Sequence, residues 1–460
     1  MPRVSLQGMS TPSNLLVHGG QVVGPDSTGR ADVLVLDGMV AAVGKDLDAP
    51  EGTPRLDATG KLVFPGLIDP QVHFREPGLE HKEDLESGSH CAAAGGVTAF
   101  CEMPNTTPAT VNPEALANKL ERASGRCVVD YAFFLGASAE NADQLGEWEG
   151  LPGCAGVKVF MGSSTGSLLV PDDPTLERVL RSGTKRVTVH SEDDPRLSER
   201  YAAMKPDTHV REHPNVRDVE TAVRSTNRLL DLVEKTGRPV HLLHVSTADE
   251  LQIVRERDLG DLVTVEATPN HIFLAAPDCY EEHGTWAQMN PPVRDASHQR
   301  ALREALVSGP VTCIGSDHAP HTAEEKAKPY PYSPSGIAGT QTILPLLLTA
   351  VAEGWLSHQD IVRLCVTGPA KVYGIQRRGP LAVSTSANPI EGNLCLVDPD
   401  IAIDLPLAWL QSRANGSPFV GKRLAGWPVA TVLRGQVVWT HSGDVGGPQG
   451  APSGKHLGFA

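Results

Sequence analysis

The stretch LVFPGLIDPQVHF (62–74) is the first of eight short apolar or β-branched runs, and their spacing decides the fold. The others are VTAFCEM (97–103), VVDYAFF (128–134), AGVKVFM (155–161), RVTVHS (186–191), VHLLHVS (240–246), VTVEATP (263–269) and VTCIGSD (311–317). Most are separated by longer helix-like stretches, the mark of βα repeats on a parallel sheet. An open doubly wound sheet also accommodates eight strands. A barrel of eight βα units needs about 250 residues, close to the span from Leu62 to Gly374, so the expected fold is α/β, a (β/α)8 TIM-like barrel. One connection illustrates the pattern: Val219, Ala222, Val223, Leu229, Leu230 and Val233 recur at helical spacing, and Gly237 stands at a C-terminal cap position.

Outward from the barrel the pattern becomes strand-like on both sides. LLVHGGQVV (15–23) and ADVLVLDGMVAAVG (31–44) precede it, with Asp37-Gly38 as a hairpin turn. NLCLVD (393–398) and WPVATVLRGQVVW (427–439) follow it. We expect residues 14–64 and 376–442 to form one small discontinuous β-sandwich domain beside a barrel of residues 65–375. A polar tail (1–13) and a Gly/Pro/Ser-rich tail (443–460) complete the chain.

A net charge of -15 over 460 residues, without a Lys/Arg-rich block, argues against nucleic acid or an anionic membrane as partner. The longest apolar run, Ile343 to Ala352, is too short to span a bilayer. The eight cysteines form no CxxC pair and several sit in strand-like runs, so reduced thiols and a cytoplasmic location are expected.

Barrel active sites lie at the C-terminal ends of the strands, and chemistry-bearing residues recur there. His73 and Arg75 follow the first run, Asn105 the second, Lys158 lies in the fourth, His190 and His244 end the fifth and sixth, and Asp317 ends the eighth. A lone histidine in an apolar strand is usually a hydrogen-bonded core residue. A convergent set of histidines, an aspartate and a lysine is harder to explain by packing, because each polar group must be satisfied. Lys158, in GVKVFM, is the most informative. Desolvation exposes a neutral amine, which reacts with CO2 to give a carbamate, an anionic oxygen ligand. The alternative is a lysine that snorkels to solvent. Asp317 suits a metal ligand and a general acid/base, and equally a helix N-cap. GSSTGS (162–167) lacks the lysine and spacing of a phosphate loop and reads as a strand-to-helix connection.

DPQVHFREPG (69–78), EMPNT (102–106), KVFMGSSTG (158–166), HVST (244–247), MNPPVR (289–294) and SDHAPH (316–321) resemble, in order, the dihydroorotases of the amidohydrolase superfamily. The resemblance implies reversible hydrolysis of L-dihydroorotate to N-carbamoyl-L-aspartate in pyrimidine synthesis, by metal-bound hydroxide with Asp317 as general acid/base. It implies Zn2+ held by His73, carboxylated Lys158 and Asp317 at one site, and by Lys158, His190 and His244 at a second. Arg75, Asn105 and His321 would receive the substrate carboxylate, and Asn290 would lie near the ring. A guanidinium suits that task through paired charge-assisted hydrogen bonds. Hydantoinases and allantoinases, the alternative activities, lack this arginine.

One position departs from the pattern, because Gln71 stands where the HxH element has its first histidine. A neutral amide oxygen is a poorer zinc ligand than imidazole, so one tight Zn2+ is expected, with the first site weaker. His81, in EHKED, is a poor replacement. A homodimer and association with aspartate carbamoyltransferase, as for inactive dihydroorotase-like relatives, are the partner expectations. Thr322 to Gly336 reads as a long Pro-rich loop beside Asp317 that closes over substrate or rests as a static surface loop.

Overall fold

The computed structural model describes residues 14–163, 168–442 and 445–460. The expected polar tail (1–13), most of the GSSTGS connection (164–167) and two residues of the C-terminal tail (443–444) lie outside the described residues.

Eight parallel strands stand side by side in sequence order: Leu67–Val72, Val97–Glu102, Asp130–Gly136, Cys154–Phe160, Val187–His190, Val240–Leu242, Val263–Ala267 and Val311–Ile314. Most of their residues are buried on both faces, which is why they read as near-continuous apolar runs. The eighth strand returns to the first. The His73 amide donates to the His318 carbonyl at 2.7 Å, and Ser316 donates to Asp69 through its amide (3.0 Å) and hydroxyl (2.5 Å). These bonds close the sheet into a barrel. Helices flank it, among them Val219–Thr236, which starts on an Asp218 side-chain cap and stops at Gly237 with φ 70°, as the spacing predicts.

Nine further strands form a second, mostly antiparallel sheet. Leu15–Val23, Thr28–Leu36, Met39–Gly44, Arg55–Asp57 and Leu62–Pro65 come from before the barrel; Leu394–Asp404, Arg423–Leu433, Gln436–Ser442 and Val445–Pro448 come from after it. The two halves join where Phe64 pairs with Cys395. Gly392 donates to the Gly38 carbonyl at 2.8 Å and accepts from Gly435 at 3.0 Å, so distant strands of the sheet approach one another. Val17, Val33, Val40, Leu394 and Val432 share the apolar core enclosed there.

Two features differ from expectation. The run 62–74 is two strands in two sheets: Leu62–Pro65 belongs to the outer sheet and Leu67–Val72 opens the barrel. Gly66 makes the transition, donating to the Asn393 carbonyl at 2.8 Å. The C-terminal segment is no loose tail. Val445–Pro448 is a strand, Leu457 is buried, and Tyr131 donates to Lys455 and accepts from Leu457, so the chain end packs under the barrel. Its composition is polar, but its backbone pairing and Leu457 hold it. All eight cysteines are buried and free, and no helix among the described residues is long and apolar enough to cross a membrane.

A Cβ at Gly66 would lie 2.3 Å from Thr98 Oγ1. Gly66→Ala is therefore expected to lower stability by about 1–3 kcal/mol, as overpacking does, measured by denaturant unfolding. Unchanged stability would show that the junction tolerates a side chain.

Candidate active site

The strand ends bring Gln71, His73, Lys158, His190, His244, Asn290 and Asp317 to the wall of one cavity, with Phe160, Ala319, Ser335 and Gly336. Three residues here sit at left-handed backbone angles: Arg75 (φ 67°), His244 (φ 36°) and Asp317 (φ 49°). Such conformations carry strain that surrounding structure must hold in place. The turn at His244 also explains why the sixth strand ends at Leu242, short of the expected 240–246.

His190 Nδ1 and His244 Nε2 face each other at 3.0 Å. Burial keeps both rings, and that of His73, below the usual imidazole range, so they are held neutral, the form that binds metals. His190 Nε2 lies 2.8 Å from Glu192 Oε2, which directs its proton to the carboxylate and leaves Nδ1 as a lone pair. Glu192 is in turn gripped by Arg217, whose Nε donates at 3.1 Å and whose Nη2 contacts Glu192 Oε2. Burial pushes the Glu192 carboxyl up, but Arg217 and His190 outweigh it and hold it well below the usual range. A carboxylate behind a histidine in this way orients metal ligands.

Lys158 is 1% exposed, with Nζ 4.5 Å from the centroid of the Phe160 ring. It does not snorkel. Burial pulls its pKa down to about 7, so a large share of the amine is neutral near that pH.

Asp317 Oδ1 lies 3.2 Å from His73 Nε2 and accepts from Gln71 Nε2 at 3.0 Å. Reversing the Gln71 amide would oppose two acceptors, so its orientation follows from this bond. Gln71 Oε1 is then a buried acceptor with no hydrogen-bond partner. An orphaned carbonyl oxygen beside histidines and an aspartate fits a cation. Lys158, His190 and His244 fit one as well, through neutral nitrogens and an amine open to carboxylation.

Arg75, Asn105 and His321, the residues expected to receive a carboxylate, are not part of that cavity wall but are bonded to residues beside it. His73 Nδ1 lies 2.7 Å from Asn105 Oδ1. Arg75 is buried, its Nε donating to the Pro320 carbonyl at 3.1 Å and its Nη2 3.2 Å from His321 Nε2. Lys82 Nζ lies 3.2 Å from His321 Nδ1. Burial, with Arg75, Lys82 and Lys326 nearby, holds His321 neutral. Arg75 and Lys82 are the cations here, Lys82 also paired with Glu325 Oε1 at 3.0 Å, while burial pulls the Lys326 amine down to about 7. Asn290 Oδ1 is 3.1 Å from His213 Nε2, which fixes its amide. The His81 side chain is 59% exposed and 3.8 Å from Glu325, as suits a surface residue.

Sequence reasoning missed Glu192, Arg217, Lys82 and Lys326. Glu192 had a signal, a carboxylate two residues beyond His190. Lys82 lay in the same EHKED element as His81. Lys326 is 1% exposed and donates to the carbonyls of Gln288 (3.3 Å), Pro334 (3.0 Å) and Gly336 (3.0 Å), fastening the Pro-rich loop whose Ser335 and Gly336 line the cavity.

With the geometry in hand, comparison with known proteins is direct. The chain belongs to the amidohydrolase family, whose pattern matches residues 62–438. Among curated relatives it is 36% identical over 439 residues to the dihydroorotase of Geobacter sp. (strain M21), covering 93% of this chain and 99% of that one. It is 35% identical over 422 residues to the dihydroorotase of Halobacterium salinarum, covering 89% and 94%. Among solved structures it resembles the L-hydantoinase (dihydropyrimidinase) of Arthrobacter aurescens, with a TM-score of 0.88 and 29% identity over 96% of this chain and 99% of that one. The dihydropyrimidinase of Brevibacillus agri gives a TM-score of 0.83 at 27% identity, covering 92% and 95%.

Arg217→Met would leave Glu192 buried without its cation. Breaking such a pair costs about 3–5 kcal/mol, and denaturant unfolding of the variant should show a loss of that size. A loss under about 1 kcal/mol, typical of exposed pairs, would contradict the buried pairing.

Proposed function

We propose that the protein hydrolyses L-dihydroorotate to N-carbamoyl-L-aspartate and catalyses the reverse cyclisation. The observation that carries this reading is the buried Arg75 in contact with His321, two residues along the chain from the cavity-lining His73. A buried guanidinium calls for an anionic partner, and the dihydroorotate carboxylate would supply one. Asn105 and His321 complete that receptor, and Asn290 lies toward the ring.

Lys158, His190 and His244 would hold a tight Zn2+; His73, Asp317 and Lys158, with Gln71, would hold a weaker one. The neutral fraction of the Lys158 amine adds to the carbon of CO2 and releases a proton, giving the carbamate. Zinc bound there supplies Lewis acidity toward a carbonyl oxygen and a nucleophile at neutral pH. Asp317 accepts a proton at its carboxylate from the attacking water and delivers it to the departing ring nitrogen; cyclisation runs this transfer backwards. Gln71 Nε2 donates to the Asp317 carboxylate and holds it in place. In this reading the protein acts in the pyrimidine pathway, and its free thiols suit the cytoplasm.

The likeness to solved hydantoinases favours a second reading, hydrolysis of hydantoins or dihydropyrimidines without a carboxylate. A non-catalytic partner of aspartate carbamoyltransferase, or an isolated homodimer, are assembly outcomes of the same purified protein.

Purified protein is expected to open L-dihydroorotate and to retain about one tightly held Zn2+ per chain at the Lys158, His190 and His244 site, an ion lost when both histidines are replaced, from the ligand count there. No turnover in folded, metal-supplemented protein would contradict the enzyme reading. Arg75→Ala is expected to lower kcat/KM for dihydroorotate by at least about 100-fold, the scale of a lost charge-assisted contact, with metal content unchanged. Parallel loss of metal would show that Arg75 serves the metal site. Gln71→His is expected to raise occupancy of the weaker site toward a second ion, read by elemental analysis after dialysis; unchanged occupancy would remove Gln71 as its cause.

A further inference from the structure

Three side chains that the proposed chemistry does not use meet inside the barrel: His241 of the sixth strand, Glu266 of the seventh and Cys313 of the eighth. All three are fully buried. His241 Nε2 lies 3.6 Å from Glu266 Oε2 and 3.7 Å from Cys313 Sγ, and the three atoms are within 4.8 Å of one another. The nitrogen-to-oxygen distance is too long for a hydrogen bond, and Glu266 Oε2 has no hydrogen-bond partner. A buried carboxylate oxygen left in that way is costly. With the third separation no more than 4.8 Å, the nearest point equidistant from the three atoms lies at most about 2.4 Å from each, within reach of zinc–ligand bond lengths of about 2.0–2.3 Å after small shifts.

The tautomer of His241 suits ligation. Its Nδ1 is 2.7 Å from Thr264 Oγ1, and the Thr264 hydroxyl sends its own proton to the Val240 carbonyl at 3.4 Å. Nδ1 therefore carries the imidazole proton, Nε2 presents its lone pair to Glu266 and Cys313, and Thr264 fixes the ring as an outer partner does for a metal-bound histidine. A second cluster, Glu83, Cys91 and His318, fails this test. His318 Nδ1 accepts from the amides of Gly339 (3.1 Å) and Thr340 (3.3 Å), so its proton sits on the Nε2 that faces Glu83. Glu83 Oε2 also accepts from Ser412 and Arg413.

We propose that His241, Glu266 and Cys313 form a buried structural site for a borderline-soft divalent cation, with Zn2+ as the best match. The ion ties the sixth, seventh and eighth strands together beneath the substrate cavity. One carboxylate and one thiolate neutralise its charge, which suits a site without solvent, and binding displaces the thiol proton. Glu266 Oε1, 3.4 Å from the His244 amide, is the remaining donor on these side chains.

Protein produced in cobalt-supplemented medium, so that the ion is present as the barrel folds, tests this by near-ultraviolet absorption. A thiolate on Co2+ gives an intense sulfur-to-metal charge-transfer band, and the ligands proposed for the substrate site contain no sulfur. The band is expected in the unmodified chain, in C91S and in an H190A/H244A variant, and is expected to vanish in C313S together with one metal ion per chain by elemental analysis. Circular dichroism checks that C313S is folded; if it is not, E266Q provides the same comparison, with loss of the same ion expected. A missing band in the unmodified chain, a band that survives in C313S, or unchanged metal content in the folded variant overturns the proposal.

Discussion

The carboxylate of Asp69 fastens the end of the barrel to its beginning, and the candidate site depends on that clasp. Asp69 is fully buried and receives both the amide and the hydroxyl of Ser316, and the Gln71 amide approaches it at 3.3 Å. Asp317 follows Ser316 directly, and His73 is bonded to the His318 carbonyl. The first and eighth strands are therefore held in a register that sets Gln71, His73 and Asp317 around one point. Burial raises the Asp69 carboxyl above its usual range, and Ser316 opposes that shift. The polar bonds at this seam are what make such burial tolerable.

From that seam the site divides into a neutral part and a cationic part. Histidines and Lys158, stripped of solvent, present lone pairs toward the cavity, while Arg75, Lys82 and Lys326 gather around His321. The fold that carries both parts is similar to that of a solved L-hydantoinase, at a TM-score of 0.88. The cationic part makes a preference for an anionic ring intelligible, because a buried guanidinium bonded only to a carbonyl and a neutral imidazole among the described contacts gains from a carboxylate.

Much of the barrel was legible because parallel strands are buried on both faces and leave apolar runs that sequence reading detects. The same rule hid the break at Gly66, since both strands of LVFPGLIDPQVHF are buried and nothing in their polarity separates them. The packing of the C-terminal segment left no mark in the sequence, since its residues are polar and small, and what holds it is backbone pairing with Tyr131 plus Leu457. Single chemistry-bearing residues at strand ends, such as Lys158 and Asp317, stood out against apolar neighbours. Arg217 did not, because its partner Glu192 lies 25 residues away and only the fold brings them together. Lys326 was hidden in a loop whose polarity suggests exposure, although its ammonium is turned inward onto three carbonyls.

In the proposed reaction Arg75 and His321 select a ring bearing a carboxylate. The most direct test compares kcat/KM for L-dihydroorotate with that for dihydrouracil, the same ring without the carboxylate, on one preparation of metal-loaded protein. The account predicts a preference for dihydroorotate of at least about 100-fold, the scale expected when a buried polar group is left unpaired. Equal rates, or a preference for dihydrouracil, would contradict it.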